Sequence, residues 1–297
     1  MAVMEVKHEK FKGDVSVLWW RLLQYSLLFT LGVLMTRIVM NEYLGQSQTQ
    51  VQASGLPYFL GIFLAMLGLR QTNLNQLLCH PTSHKSPDWL VLVAMILVIL
   101  GIQTLTTLYS HVLATLLHRF NYGIQAQVEA SSANSTTWGM WLYSVILAPL
   151  TEELVFRGYI LGNLKQYGRS VALGLSAFMF GLYHMNAIQT PFAFAIGLIL
   201  GYLALEYGLV WAIIFHLGNN LFSEIMNQVT DKTWLMVDNF AGLVGIAVII
   251  YLGVKFFKIK VQSQKLKDKL VVSLWNPPAV IYLAYCFYTI VESLNNI

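Results

Sequence analysis

Two adjacent carboxylates and an arginine, Glu152, Glu153 and Arg157, interrupt a stretch that is otherwise apolar from Trp138 to Leu164. A charge inside a helix of hydrocarbon length is costly unless it is paired or faces a polar cavity, so such a cluster is a functional signal by default. Glu153 and Arg157 are four residues apart and can pair along one helical face. Glu152 is rotated from Glu153 by about 100° and has no evident local cation, which leaves it free to act. Two more polar groups break apolar blocks downstream. His184 closes the run S-A-F-M-F-G-L-Y-H, four residues after Phe180. His216 opens H-L-G-N-N, with Asn220 four residues on and therefore on the same face. Amide hydrolysis needs a base for water, donors for the oxyanion and a dry, preorganised site. Glu152 fits the first need; the ring N–H of His216 and the carboxamide of Asn220 fit the second.

Other chemistries find less support. No Gly-x-Ser-x-Gly elbow and no H-E-x-x-H occur, and neither cysteine, Cys79 or Cys286, lies near a histidine motif. Both thiols are expected to be packing residues. Of the seven histidines, His8, His80, His84, His111 and His118 fall in tails, loops or span ends and suit structural or surface roles. Glu152, His184 and His216 would also make a His₂Glu zinc site with a position open for water. The same residues work without metal, as a water-activating glutamate supported by imidazoles. We take the reading without a cofactor first and keep zinc as its alternative.

The elements that must position these groups are membrane helices. Of 297 residues, 57% are hydrophobic and only 11% charged, against about 25% charged in soluble domains. The apolar residues come in blocks long enough to span a bilayer. The expected fold is all-α, a polytopic transmembrane helix bundle of about eight or nine spans. The blocks cover about 16–40, 55–69, 89–117, 138–161, 171–187, 191–205, 209–226, 240–254 and 277–292. The second is short, and Pro277-Pro278 weakens the last. Residues 1–14 are expected to be a polar tail, and 41–54, 70–88 and 120–137 to be loops or linkers. Asn134-Ser135-Thr136 is a glycosylation sequon in form only. Small residues (Gly174, Ala177, Gly181, Gly197, Gly201, Gly218) line the motif-bearing spans and let helices approach closely.

Charge orients the chain. The net charge is only +4, but Lys and Arg are concentrated at Arg70/Lys85, Lys165/Arg169 and Lys255–Lys269. A cytoplasmic N-terminus puts all of these on the cytoplasmic side, with Glu152, His184 and His216 roughly 10–20 Å from that surface at 1.5 Å per residue. No cleavable signal peptide is evident. The expected location is a cell membrane, that of a bacterium in preference to the endoplasmic reticulum.

Glu152-Glu153-x-x-x-Arg157, Phe180-x-x-x-His184 and His216-x-x-x-Asn220, in that order on successive spans, resemble the three motifs of the CPBP intramembrane proteases. That family includes CAAX prenyl endopeptidases and proteins linked to bacteriocin processing and self-immunity (Abi). The resemblance covers about 140–228. It implies that Glu152 activates the attacking water with help from His184, that His216 and Asn220 stabilise the oxyanion, and that Glu153 and Arg157 form a structural ion pair beside the site. It also implies, as partners, the lipid bilayer and a hydrophobic or lipidated peptide substrate, with no nucleic acid. The expected division is a tail (1–14), N-terminal helices (15–130), a protease core (131–230) and C-terminal helices (231–297) with a basic loop at 255–269. Two other readings use the same residues. A proton-coupled transporter would use the Glu/His cluster as a relay, but no inverted repeat of the motif block is seen. A non-catalytic self-immunity protein of the same fold would have no use for buried charges that cost stability.

Overall fold

The computed structural model describes residues 2–69, 86–131, 135–257 and 263–296. Within them the fold is a helix bundle. Helix α1 (Ala2–Ile38) ends in a π-helical turn and is followed by α2 (Gln48–Ala53), α3 (Leu56–Leu69) and α4 (Trp89–His118). After the short α5 (Gln125–Ser131) comes the motif helix α6 (Trp138–Tyr167), then α7 (Arg169–Tyr183), α8 (Gln189–Glu206) and α9 (Leu209–Gln228). The chain closes with α10 (Lys232–Phe257), α11 (Ser263–Leu274) and α12 (Pro277–Glu292). The sole strand pairing among the described residues joins β1 (Tyr122–Gly123) to β2 (Asn295–Asn296), antiparallel.

Among the described residues six helices are long and apolar enough to cross a bilayer, α1, α4, α6, α8, α9 and α10. The apolar α3 and α7 are shorter, and α12 has 16 residues. An expected count of eight or nine is compatible with this set. Pro277 and Pro278 start α12 and do not weaken it: proline at the first helical positions gives up no intrahelical bond, and the Asn276 side chain caps the helix by accepting from Ala279 N–H at 3.1 Å. Gly208, at φ 100°, makes the turn between α8 and α9 in a conformation that disfavours a side chain.

The expected polar tail is helical from Ala2. Its composition is polar, but Phe11, Val15, Leu18 and Leu22 recur at helical spacing and are buried. The expected loop at 70–88 lies mostly outside the described residues, as do Cys79, His80 and His84. Cys286 is free and buried, donating to Leu182 O at 3.4 Å.

The core lies among α1, α6, α7, α8 and α12, around Trp19, Tyr25, Phe156, Phe180 and Tyr282. Trp19 Nε1–H donates to Ser273 O at 2.9 Å, and Ser26 and Tyr282 share a hydroxyl hydrogen bond at 3.1 Å. Helix α10 packs along α4 at a crossing where Gly101 faces Gly245. A Cβ on Gly245 would lie 1.9 Å from Leu97 O, so the two backbones touch there.

The connections sort onto two ends of the bundle. At one end Asp14 meets Tyr167 and Gln166, Arg169 pairs with Glu206, and Lys269 Nζ donates to Tyr167 O at 2.7 Å. At the other, Thr137 meets Ala53 O, and Gln127 Nε2 donates to Ile290 O at 3.0 Å and Ser293 Oγ at 2.9 Å. There Ala187 N–H also donates to Gln127 Oε1, at 2.6 Å. Strict alternation of the helices across a membrane requires this sorting.

Candidate active site

Helix α6 is not a uniform α-helix. It is π-helical over Leu142–Leu147 and again over Leu154–Ile160, with a short α-helical segment, Ala148–Glu153, between them. Pro149 lacks an N–H and crowds the carbonyl four residues back, which disturbs the ladder where the first π segment runs. The two glutamates sit at the junction with the second. Glu153 is fully buried, and its Oε1 accepts from both Arg157 Nη1 and His216 Nδ1, each at 2.8 Å. The other nitrogen of His216, Nε2, lies 3.7 Å from Glu152 Oε2. The Glu152 side chain keeps 12% exposure, while those of Glu153 and Arg157 have none. One imidazole from α9 thus stands between two neighbouring carboxylates of α6, bonded to the deeper one.

Phe180 organises the rest. Its ring face carries the Arg157 guanidinium, 4.2 Å from the centroid, a favourable cation–π geometry. The rings of His184 and His216 stand nearly perpendicular to it at 5.0 and 5.7 Å. Its carbonyl oxygen lies 3.0 Å from His184 Nδ1. A carbonyl only accepts, so Nδ1 carries the proton and the neutral ring presents Nε2 as an acceptor. Arg157 also ties α6 to α8, donating from Nη2 to Gly197 O at 3.3 Å. His184 follows the last residue of α7, just before Met185 turns the chain with φ 47°.

The Asn220 carboxamide donates to Ser144 O at 2.9 Å, fixing α9 against the first π segment of α6. Two features of this neighbourhood escape a sequence reading. Glu224, one turn beyond Asn220, is buried. It accepts from Ser144 Oγ at 3.0 Å and from Ser135, through the hydroxyl and through the backbone N–H at 3.3 Å. The signal was present as His216, Asn220 and Glu224 at successive i,i+4 positions, but a glutamate near a helix end passes as a surface charge. Tyr25, Tyr143 and Tyr183 are electrostatic neighbours of Glu152, and the Tyr25 and Tyr183 rings meet at 5.6 Å. Tyr25 comes from α1, with no sequence relation to the motifs.

The structure therefore brings Arg157, His184 and His216 around Phe180, with Glu153 bonded to Arg157 and His216, Glu152 facing His216, and Asn220 a turn along α9 from His216. As a zinc site the set is not closely grouped: among the described residues no three His, Cys, Asp or Glu side chains converge as metal ligands. The bond from His216 Nδ1 to Glu153 would by itself suit a metal-bound imidazole.

The three motifs, in order, bring their polar side chains from several membrane helices into one buried cluster, and the segment that holds them is similar to the CPBP family of intramembrane proteases. More particularly, residues 134–222 match the family model described as Type II CAAX prenyl endopeptidase Rce1-like, so the chain carries an Rce1-like domain. No curated protein and no solved structure shows a significant match to the chain. The matched segment holds all three motifs. Tyr25 and Glu224 lie outside it.

Proposed function

We propose that the chain hydrolyses a peptide bond of a membrane-associated peptide or protein, with Glu152 activating the attacking water and no metal taking part. The observation that carries this reading is the division between the two glutamates. Glu153 is fully buried, with its Oε1 held by both Arg157 and His216 and its Oε2 without a hydrogen-bond partner among the described residues, while Glu152, next in sequence, stays slightly exposed and lies 3.7 Å from His216 Nε2. With Arg157 and His216 both protonated and both carboxylates ionised, the cluster is neutral overall, which limits the cost of burying it.

The steps follow from the donor and acceptor assignments. Water, accepted by His184 Nε2, gives a proton to the Glu152 carboxylate as its oxygen bonds to the scissile carbonyl carbon. The oxyanion takes hydrogen bonds from His216 Nε2–H and from an Asn220 N–H. With Nδ1–H held by Glu153, His216 can donate from Nε2 only as the imidazolium, and Glu153 balances that charge. As the tetrahedral intermediate collapses, Glu152 passes its proton to the departing amine. The C–N bond breaks, leaving a carboxylic acid and an amine with the catalyst restored, and the acid then gives its remaining proton to the amine or to solvent.

For the substrate, the domain match supports a lipidated C-terminal segment: an S-prenyl cysteine followed by a few residues. The catalytic core is proposed to be 131–230, and the end of the bundle carrying Lys165, Arg169 and Lys269 to be cytoplasmic, as the positive-inside rule requires. The test is a cleavage assay on the purified full chain in detergent, mapped by mass spectrometry. Its panel holds S-farnesyl peptides ending in three residues after the cysteine, their unprenylated forms, and apolar peptides. Discrete cleavage by the wild type that Glu152→Ala loses is the expected result. An unchanged panel, or cleavage that persists in Glu152→Ala, would overturn the proposal.

A further inference from the structure

The Asn220 carboxamide is the last link of a polar chain that starts on another helix. Gln103, on α4, donates from Nε2 to Asn219 Oδ1 at 3.1 Å. Asn219 Nδ2 donates to Asn220 Oδ1 at 3.2 Å. Asn220 Nδ2 donates to Ser144 O at 2.9 Å. Every amide oxygen in this series is an acceptor and every amide nitrogen a donor. Reversing Asn220 alone would set its oxygen against the Ser144 carbonyl and its nitrogen against the nitrogen of Asn219. Both contacts are repulsive, so the relay selects one face of the carboxamide. At the far end, Ser144 is itself held by the hydroxyl bond to buried Glu224.

This matters for the reaction because a carboxamide has one donor end and one acceptor end. Of the two Nδ2 hydrogens of Asn220, Ser144 O takes one, and the other stays available. In the reversed orientation the Asn220 oxygen would take over the position of that nitrogen and repel an oxyanion. We infer that Gln103 and Asn219 are positioning residues, which hold the Asn220 amide so that its remaining N–H faces the developing oxyanion. This rests on the protease reading above. It extends the site to α4, outside the Rce1-like segment.

The test uses the purified full chain in detergent and an internally quenched S-farnesyl peptide. Gln103→Met keeps the bulk but removes the donor. Asn219→Asp keeps the acceptor for Gln103 but removes the donor to Asn220. Each is expected to lower kcat by about 10- to 100-fold, as misplacement of a catalytic group does, with KM within about twofold, because the bond to the oxyanion forms only in the transition state. Folded yield should stay near wild type, since helix-to-helix hydrogen bonds contribute little to membrane-protein stability. In an Asn220→Ala background, itself about 10²- to 10³-fold slower, Gln103→Met should cause no further loss. Additive losses there, or an unchanged kcat in both single variants, would overturn the inference. Should the wild type cleave nothing, the protease reading fails, and thermal melting still decides the relay. Shifts of Gln103→Met and Asn219→Leu that do not add in the double variant support it; strictly additive shifts refute it.

Discussion

Replacing Glu153 by glutamine removes one negative charge and leaves the shape of the side chain intact. Its Oε1 receives both Arg157 and His216 at 2.8 Å, and neither Glu153 nor Arg157 has any side-chain exposure. The substitution therefore leaves a buried guanidinium and an imidazole facing a neutral amide. Breaking a buried pair from one side costs about 3–5 kcal/mol. At roughly 2–4 °C per kcal/mol, the melting midpoint should fall by on the order of 10 °C, with a matching loss of folded yield. Arg157→Met should cost a similar amount, because it strands Glu153. The double variant should recover part of the loss but not all, since His216 Nδ1 still lacks its carboxylate. The assay is melting of the four proteins in one detergent, followed by tryptophan fluorescence. Coupling of about 0.5–3 kcal/mol between the two sites is expected. Small, strictly additive shifts would mean that the ion pair does not support the fold.

Three further outcomes follow. Activity should survive EDTA and phenanthroline, and elemental analysis should find little bound metal; stoichiometric zinc lost together with activity would restore the His₂Glu alternative. In a variant with Cys79 and Cys286 replaced, a cysteine at Ala130 should react with a membrane-impermeant thiol reagent in intact cells, and one at Ser170 should not; the reverse pattern would invert the orientation. Gly245→Ala puts a methyl group into the contact with Leu97 O, and should destabilise the protein by about 1–3 kcal/mol through overpacking. A variant as stable as wild type would show that α4 and α10 do not cross so closely.

The helices were legible from the sequence because apolar blocks of spanning length leave few alternatives. Most observed boundaries fall within a few residues of those blocks. Helical spacing also put Glu153 with Arg157 and His216 with Asn220, because those pairs are local. It could not put His216 on Glu153 or Gln103 on Asn219, since both contacts depend on how separate helices pack. The first 14 residues and the linker at 120–137 were misread through composition. Phe11 and Val15 bury one face of a polar-looking helix, and Gln127 is buried because it hydrogen-bonds both the end of α12 and the loop after α7. Glu224 shows the same limit: its burial is supplied by Ser135 and Ser144, which sequence spacing does not connect to it.

The central claim is that Glu152 is the base. Its most direct test is the steady-state rate of purified wild type against Glu152→Gln on the S-farnesyl peptide, with elution profile and melting recorded for both. Glutamine keeps the size and hydrogen bonding of the side chain but cannot take a proton from water. The account predicts that kcat falls by at least 10²- to 10⁴-fold, the usual loss of a general base, while folding is unchanged. A Glu152→Gln protein that turns over near the wild-type rate would contradict it.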